Sequence, residues 1–317
     1  MKAWSYPIIP GKISTRPRST RPLGSLPRAF LLAVALAGSG PFGFADSVLA
    51  SELADIHELD AAALVPTAPR PKIQIGERLV FSGRWLGIPV GSGWIEVQEL
   101  GSLDGRPAYV IEAQGHSNRV LSAFYPIQDL IRSYLDPETL RPLRFEKHQR
   151  EGHYRADEVV VFDYERRIAI YHSLLNQSTK EIPIPADTQD IVSAFYWLRT
   201  RPFKLTESTT LNVYSDEKIF RMEVKPIKTV RLELFHRGIF PCFMVEPIAA
   251  FKGVMVQRGR MWVYVSTDER RVPLLVKLST PWGLITGLID AASLRHTPRP
   301  AEPSRASENR PPQADGA

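Results

Sequence analysis

The sequence has 317 residues, of which 44% are hydrophobic and 23% are charged, with a formal net charge of +6. It is too apolar for a wholly disordered chain, and its 20 glycines are too few for a collagen-like repeat. Its one cysteine, Cys242, excludes an internal disulfide, a multi-cysteine zinc site and a CxxC redox motif. The apolar residues around Cys242 predict a buried, structural thiol.

The excess positive charge lies at the two ends of the chain. Residues 1–50 contain six basic residues and one acidic residue, and residues 295–317 contain four basic and three acidic residues. Between them, the 30 basic and 30 acidic side chains of residues 51–294 balance. Because a nucleic-acid-binding domain carries its basic excess on the folded part, this distribution argues against nucleic acid as a partner.

Residues 1–50 have the pattern of a secretory signal peptide. A basic segment ending at Arg28 precedes an apolar run at residues 29–37, and small-residue cleavage contexts follow near residues 45 and 50. The run is much shorter than the ~20 residues that span a bilayer. We therefore expect a soluble periplasmic protein with no transmembrane anchor after cleavage. An uncleaved N-terminal anchor is the alternative.

The segments on either side of the core have the composition of connecting or disordered chain. Residues 51–72 end in three prolines and are expected to form a linker. Residues 295–317 are rich in proline, serine and alanine and contain no aromatic residue, so we expect a disordered tail. A single domain is predicted for residues 73–294.

Period-2 alternation of apolar and polar residues dominates this domain and predicts about eleven or twelve strands. Val230, Leu232 and Leu234, for example, alternate with Arg231 and Glu233. Short turns such as 104–105 and 151–152 separate the strands, and strands joined in this way are antiparallel.

Helical spacing of apolar residues appears at residues 187–199, after the capping pair Asp187-Thr188, and more briefly near 118–124. We predict a mainly β fold in which a single curved antiparallel sheet, a half-barrel, wraps one or two helices. A closed sandwich would leave the 187–199 helix without an obvious site.

No GxSxG, HExxH, P-loop or Rossmann motif occurs, so no catalytic residue, metal or cofactor is predicted. One polar cluster surrounds the turn expected at Glu151-Gly152, which would pair residue 150 with 153, 148 with 155 and 146 with 157. Two histidines and two carboxylates on one face could bind a metal or support acid–base chemistry. Interleaved arginines favour a solvated face of paired charges instead. The cluster consists of Glu146, His148, Arg150, His153, Arg155 and Asp157.

Aromatic residues are the remaining signal. The segment 262–265 is apolar on both of its faces, and an amphipathic helix over such a sheet would cover an apolar cavity. The residues that we predict to line this cavity and contact a ligand are Phe81, Trp85, Trp94, Trp197, Trp262 and Trp282.

Several segments, in order, resemble the bacterial domain-of-unknown-function family DUF3108 over roughly residues 74–292. The resemblance rests on residues 76–81 (GERLVF), 85–91 (WLGIPVG), 140–142, 151–152, 190–199 (DIVSAFYWLR), 262–266 (WVYVS), 268, 271–273 and 283–287. It implies an exported protein without an assigned activity or agreed catalytic residues. It also implies a fold similar to the half-barrel of lipoprotein-localisation (Lol) carriers, which hold acyl chains between a curved sheet and helices. This is an analogy of fold.

Three functional hypotheses follow. The first is a non-catalytic periplasmic binder or carrier of an apolar ligand, a lipid or acylated cargo, acting in envelope maintenance. The second is a protein-interaction module in which an open sheet edge or the Pro-rich tail docks an envelope partner by strand addition. The third is a hydrolase that uses the carboxylates of Glu146 and Asp157.

Overall fold

The computed structural model of the chain describes residues 54–58, 73–205, 207–234, 238–251, 254–255, 259–280 and 282–295. The expected signal peptide and all but the first residue of the expected tail lie outside these ranges. Within the expected linker, residues 54–58 form a strand whose Ile56 packs against the core. None of the helices in the described ranges has the length and apolar character needed to cross a membrane.

The described part of the chain contains sixteen strands and three short helices. The first half consists of β1 (Ala54–Glu58), β2 (Arg78–Trp85), β3 (Ile88–Leu103), β4 (Arg106–Ser117), α1 (Arg119–Ser122), β5 (Gln128–Leu135), β6 (Pro142–Glu151), β7 (Tyr154–Asp163), β8 (Ile168–Ser173) and β9 (Thr179–Pro183). The second half consists of α2 (Ile191–Arg199), β10 (Thr209–Ser215), β11 (Lys218–Leu234), β12 (Gly238–Phe251), β13 (Val254–Met255), β14 (Arg260–Ser266), β15 (Pro273–Thr280), β16 (Gly283–Ile289) and α3 (Ala291–Arg295).

All sixteen strands belong to one large antiparallel sheet that does not close. Its order is β1-β11-β12-β14-β15-β16-β2-β3-β4-β5-β6-β7-β8-β9, while β10 pairs with β11 and β13 with β12. Strands β2 to β9 therefore follow chain order as a meander, and β16 joins the C-terminal strands to β2. The predicted single antiparallel sheet is confirmed.

The strand number exceeds the predicted eleven or twelve because some short strands have no period-2 pattern. Strand β9 has the sequence TKEIP, and β13 is only two residues long. Such segments are placed by hydrogen bonds to longer neighbours and not by an apolar face of their own, so alternation does not reveal them.

Helix α2 lies inside the curve of the sheet. Its N-cap is Asp190, whose carboxylate Oδ1 accepts hydrogen bonds from the backbone nitrogens of Val192 (2.8 Å) and Ser193 (2.7 Å). The other oxygen accepts a 2.5 Å bond from the Ser133 hydroxyl on β5, which ties the start of the helix to the sheet. The predicted helix is therefore present and begins at Ile191, but its N-cap is Asp190, so the predicted capping pair Asp187-Thr188 was wrong.

Side chains of α2 pack against both halves of the sheet. Val192 and Tyr196 belong to the core formed with β3 to β8, and Ala194 belongs to the core formed with β10 to β14. Phe195 packs against the core formed by residues of β2, β11, β12 and β14 to β16. Because one nine-residue helix meets strands from the whole length of the sheet, the sheet wraps around it, as predicted.

Candidate ligand-binding cavity

An apolar cavity of about 240 Å³ lies between α2 and the inner face of the sheet. Its walls come from α2, β2 to β5, β10 to β12 and β14 to β16. Most lining side chains are aliphatic or aromatic, including Phe81, Phe195, Val213, Met222, Val263 and Leu278.

Strand alternation explains how the wall is built. On β14, Met261, Val263 and Val265 line the cavity, whereas Trp262 and Tyr264 pack in the core on the other side of the strand. Both faces of this strand are therefore used for apolar contacts. The sequence predicted this property correctly, and Trp262 lies on the face of β14 that is turned away from the cavity.

Glycines leave part of the wall without side chains. On β3, Gly93 lies opposite Phe81, and a Cβ atom at Gly93 would come within 2.8 Å of the carbonyl oxygen of Gln114. On β16, Gly287 has more room, because the nearest atom to such a Cβ is Val276 Cβ at 3.9 Å. Val276 also lines the cavity, so a side chain at position 287 would project into it.

Two arginines, Arg199 and Arg271, interrupt the apolar wall. The guanidinium of Arg199, at the end of α2, donates two hydrogen bonds of 2.7 Å to the carboxylate of Glu77 and a third of 2.7 Å to the Arg270 carbonyl. Burial acts to lower the pKa of Arg199, but the bonds to Glu77 outweigh it and raise the pKa. Arg199 is therefore a neutralised, structural cation.

Arg271 is buried to a similar degree but is not neutralised. Its side chain donates to the backbone carbonyl of Arg201, and its guanidinium carbon lies 5.5 Å from the ring centroid of Phe203. Within the described residues it forms no ion pair with a carboxylate, and its Nε has no hydrogen-bond partner. Burial lowers the pKa of Arg271, and no neighbouring carboxylate opposes that effect.

Of the six predicted lining residues, Phe81 and Trp94 contribute to the cavity wall. The indole Nε1 of Trp94 donates to the Gln114 side chain at 3.1 Å, and the Arg78 guanidinium lies 4.0 Å from the centre of its ring. These neighbours fix the orientation of the indole. Contact of either residue with a ligand stays a prediction.

The other four tryptophans lie away from the cavity wall. Trp197 packs with the core of β10 to β12, and Trp262 lies on the far side of β14. Trp85 and Trp282 meet at two hairpin ends, where Trp85 Nε1 donates to the Trp282 carbonyl at 3.0 Å and Trp282 is 49% exposed. The structure therefore places these four tryptophans away from the cavity, and for Trp262 the reason is strand parity, which decides on which side of the sheet a side chain points.

The hairpin with the predicted polar cluster has a different register from the one expected. Its turn is formed by Gly152 and His153, so that Glu151 pairs with Tyr154 and His148 with Asp157. Gly152 adopts a φ of +55° at the first turn position, which suits a two-residue hairpin loop. The predicted pairing was wrong by two residues, and His153 lies in the turn instead of on the strand face.

The strand residues of this cluster form ion pairs on the outer face of the sheet. Asp157 accepts bonds from His148 (2.8 Å) and Arg150 (2.7 Å), and Glu146 lies 3.6 Å from Arg132. Partial burial acts to raise the pKa of Asp157, but these partners hold it below its ordinary value. The carboxylates of Glu146 and Asp157, which the hydrolase hypothesis requires, are thus paired with basic side chains. This pairing is expected for a solvated face of alternating charges.

A second charged group, which the sequence analysis missed, lies on the inner face of β5 to β7. This buried charged cluster consists of Asp129, Lys147, Gln149, Glu151 and Glu158, and none of its members lines the cavity. Alternation along β6 places Lys147, Gln149 and Glu151 on the face that also carries Phe145. Their polar character in the sequence gives no sign that they are buried.

The one cation of the cluster, Lys147, is paired with carboxylates of the chain. Lys147 Nζ lies 3.0 Å from Glu158 Oε1 and donates at 2.8 Å to Asp216, at the turn between β10 and β11. Glu151 accepts a 2.9 Å bond from the Gln149 side chain, and burial, together with the nearby Asp129, raises the pKa of Glu151 to about 8. Glu151 therefore holds its proton near neutral pH.

The family described as a protein of unknown function, DUF3108, matches residues 80–290, two thirds of the chain. The chain belongs to the DUF3108 family. No curated protein matches it. Among solved structures, this DUF3108 chain is similar to a β-barrel-like protein of the domain of unknown function DUF1849 from Brucella abortus. That similarity has 8% sequence identity and a TM-score of 0.47, and it covers 68% of this chain and 96% of the other.

Proposed function

We propose that this DUF3108 chain is a non-catalytic binder or carrier of an apolar ligand, a lipid or another acylated molecule, in the bacterial periplasm. The observation that carries the proposal is the apolar cavity between α2 and the sheet. The signal-like pattern of residues 1–50 supports the compartment.

The size of the cavity limits the ligand. Its volume of about 240 Å³ lies just below the range of ~300–1,000 Å³ that is usual for small-molecule pockets. We therefore expect one short or medium-length acyl chain, or part of a longer one. Each methylene removed from water contributes about 0.8 kcal/mol, or about fourfold in affinity. Affinity should rise with chain length and level off when the cavity is full.

The test is binding of an uncharged fluorophore, N-phenyl-1-naphthylamine, to the full chain and to two matched variants. Gly287→Leu adds a side chain that projects into the cavity, and Gly101→Leu adds the same side chain to β3 at a position that does not line it. We expect wild type and Gly101→Leu to bind, and Gly287→Leu to lose at least about tenfold in affinity because its leucine fills the site. Linear alcohols should displace the fluorophore at lower concentrations as their chains become longer, until the chain fills the cavity.

Absence of fluorophore binding by the folded wild type would contradict the proposal. Equal binding by the two leucine variants would also contradict it, since the ligand would then lie elsewhere. Circular dichroism of each variant establishes that the fold is intact, so that a loss of binding is not a loss of structure.

A further inference from the structure

Arg271 is an unusual feature of the cavity wall. Its residue is only 5% exposed, it lines an otherwise apolar space, and its Nε lacks a hydrogen-bond partner. A buried cation without a counter-charge is costly, because the protein supplies little of the solvation that water provided. The fold nevertheless places a guanidinium here.

The other arginine in the same wall provides a comparison. The guanidinium of Arg199 donates two hydrogen bonds of 2.7 Å to the carboxylate of Glu77. No carboxylate of the described residues serves Arg271 in this way. The fold can therefore neutralise a cation at this cavity, and it does so for only one of the two.

Asp268, three residues before Arg271, is engaged in the turn that carries Arg271. Its Oδ1 accepts bonds from the Ser266 hydroxyl (2.6 Å) and from the backbone nitrogen of Arg271 (3.2 Å), and Oδ2 lies 3.6 Å from Arg270. These contacts hold the backbone of Arg271 in the left-handed region at φ +47°. The turn therefore fixes the start of the side chain and leaves its guanidinium without an acidic partner.

We propose that the ligand is an amphiphile with a single anionic head group, a carboxylate or a phosphate, whose oxygens bind the guanidinium of Arg271 while its acyl chain occupies the apolar cavity. This inference rests on the proposed function and names the chemistry of the ligand. Guanidinium presents a planar fork of donors that matches both anions. The free Nε supplies one of those donors, and the charge of the head group replaces the missing carboxylate.

The test compares probes with the same tail and different heads. Dodecanoate, dodecyl phosphate and dodecan-1-ol compete with N-phenyl-1-naphthylamine for the full chain at pH 8. Charge-assisted hydrogen bonds should make wild type prefer at least one of the two anions over the alcohol by about 10- to 100-fold. The anion that binds more tightly identifies the head group.

Variants assign the preference to one side chain. Arg271→Met keeps the length of the side chain and removes its charge, so the preference should fall to within about twofold while alcohol binding persists. Arg271→Lys should retain part of the preference, because lysine has the charge without the fork. Arg270→Met, which changes the neighbouring arginine outside the wall, should bind like wild type. If Arg271→Met failed to fold, Arg271→Gln would replace it.

The outcomes separate the two proposals. If folded wild type bound neither the fluorophore nor the alcohol, the carrier function would fail and this inference with it. If wild type bound the alcohol and both anions equally, or if Arg271→Met and Arg271→Gln kept the preference, the head-group inference alone would be overturned. If the head-group inference were overturned in this way, binding of the alcohol would still support the proposed carrier of an apolar ligand.

Discussion

The inner face of one sheet has two regions with opposite character. Strands β2 and β14 to β16 present apolar side chains that surround an unfilled cavity, whereas β5 to β7 present the buried charged cluster. Helix α2 packs against both regions. The cation of the charged region has its carboxylate partners within the chain, and the apolar region surrounds the cavity.

The two regions treat a buried cation differently. Lys147 lies 3.0 Å from Glu158 and 2.8 Å from Asp216, so its charge is balanced where it is buried. Arg271 has no such carboxylate among the described residues. Burial alone thus does not determine whether a cation has an internal counter-charge, and this difference can be tested by removing partners.

The largest effect is expected when Lys147 is removed. In Lys147→Met, the buried Glu158 carboxylate loses its cation, and the link to Asp216 on the β10–β11 hairpin is lost. Breaking a buried ion pair from one side should lower the free energy of unfolding by about 3–5 kcal/mol. Urea denaturation of the variant and of wild type measures this change.

The double variant Lys147→Met/Glu158→Gln tests the cause of that loss. It removes the stranded charge, so it should recover part of the stability lost in the single variant. A single variant as stable as wild type would mean that the cluster does not hold the hairpin against the sheet, and the contrast with Arg271 would lose its basis.

A smaller effect, and one that depends on pH, is expected from Glu151. Its pKa is raised from 4.5 to about 8 by burial and by Asp129. Between these values the folded protein binds a proton that the unfolded chain has released, so stability falls as pH rises through this range. The cost is absent below pH 4.5 and complete above pH 8.

Glu151→Gln keeps an acceptor for Gln149 and removes the ionisable group. Relative to wild type, the variant should be more stable at pH 8.5 and little changed at pH 4.5. Denaturation curves at the two pH values give the comparison. An equal difference at both would show that ionisation of Glu151 is not responsible.

The apolar region of the fold was largely predictable from sequence, and the charged one was not. The alternation of strands predicted the sheet and its antiparallel sense, and the helical spacing of apolar residues predicted the enclosed helix. Both faces of β14 were correctly predicted to be apolar. These features depend on neighbours along the chain, where the sequence contains the information.

Pairing across the sheet depends on register, which the sequence determined less well. A two-residue shift at Gly152 moved His153 into the turn, and strand parity placed Trp262 away from the cavity. The burial of Lys147 depends on Asp216, 69 residues later in the chain, so no local pattern indicates it. The role proposed for Arg271 likewise depends on the absence of a carboxylate partner among the described residues, and only the three-dimensional packing shows this.

The smallest effect is expected at an ion pair on the outer surface. The side chains of Arg166, in the turn after β7, and Glu181, on β9, form an ion pair of 3.0 Å. The Arg166 side chain is 56% exposed, whereas that of Lys147 is 2% exposed. Water already solvates both partners, so Arg166→Ala should change the free energy of unfolding by less than about 0.5 kcal/mol. The same urea titration used for Lys147 measures it. A decrease in the free energy of unfolding as large as that of Lys147→Met would mean that charge pairs stabilise this sheet regardless of their burial. Burial would then not distinguish the paired Lys147 from the surface pairs, and the comparison with Arg271 would have no basis.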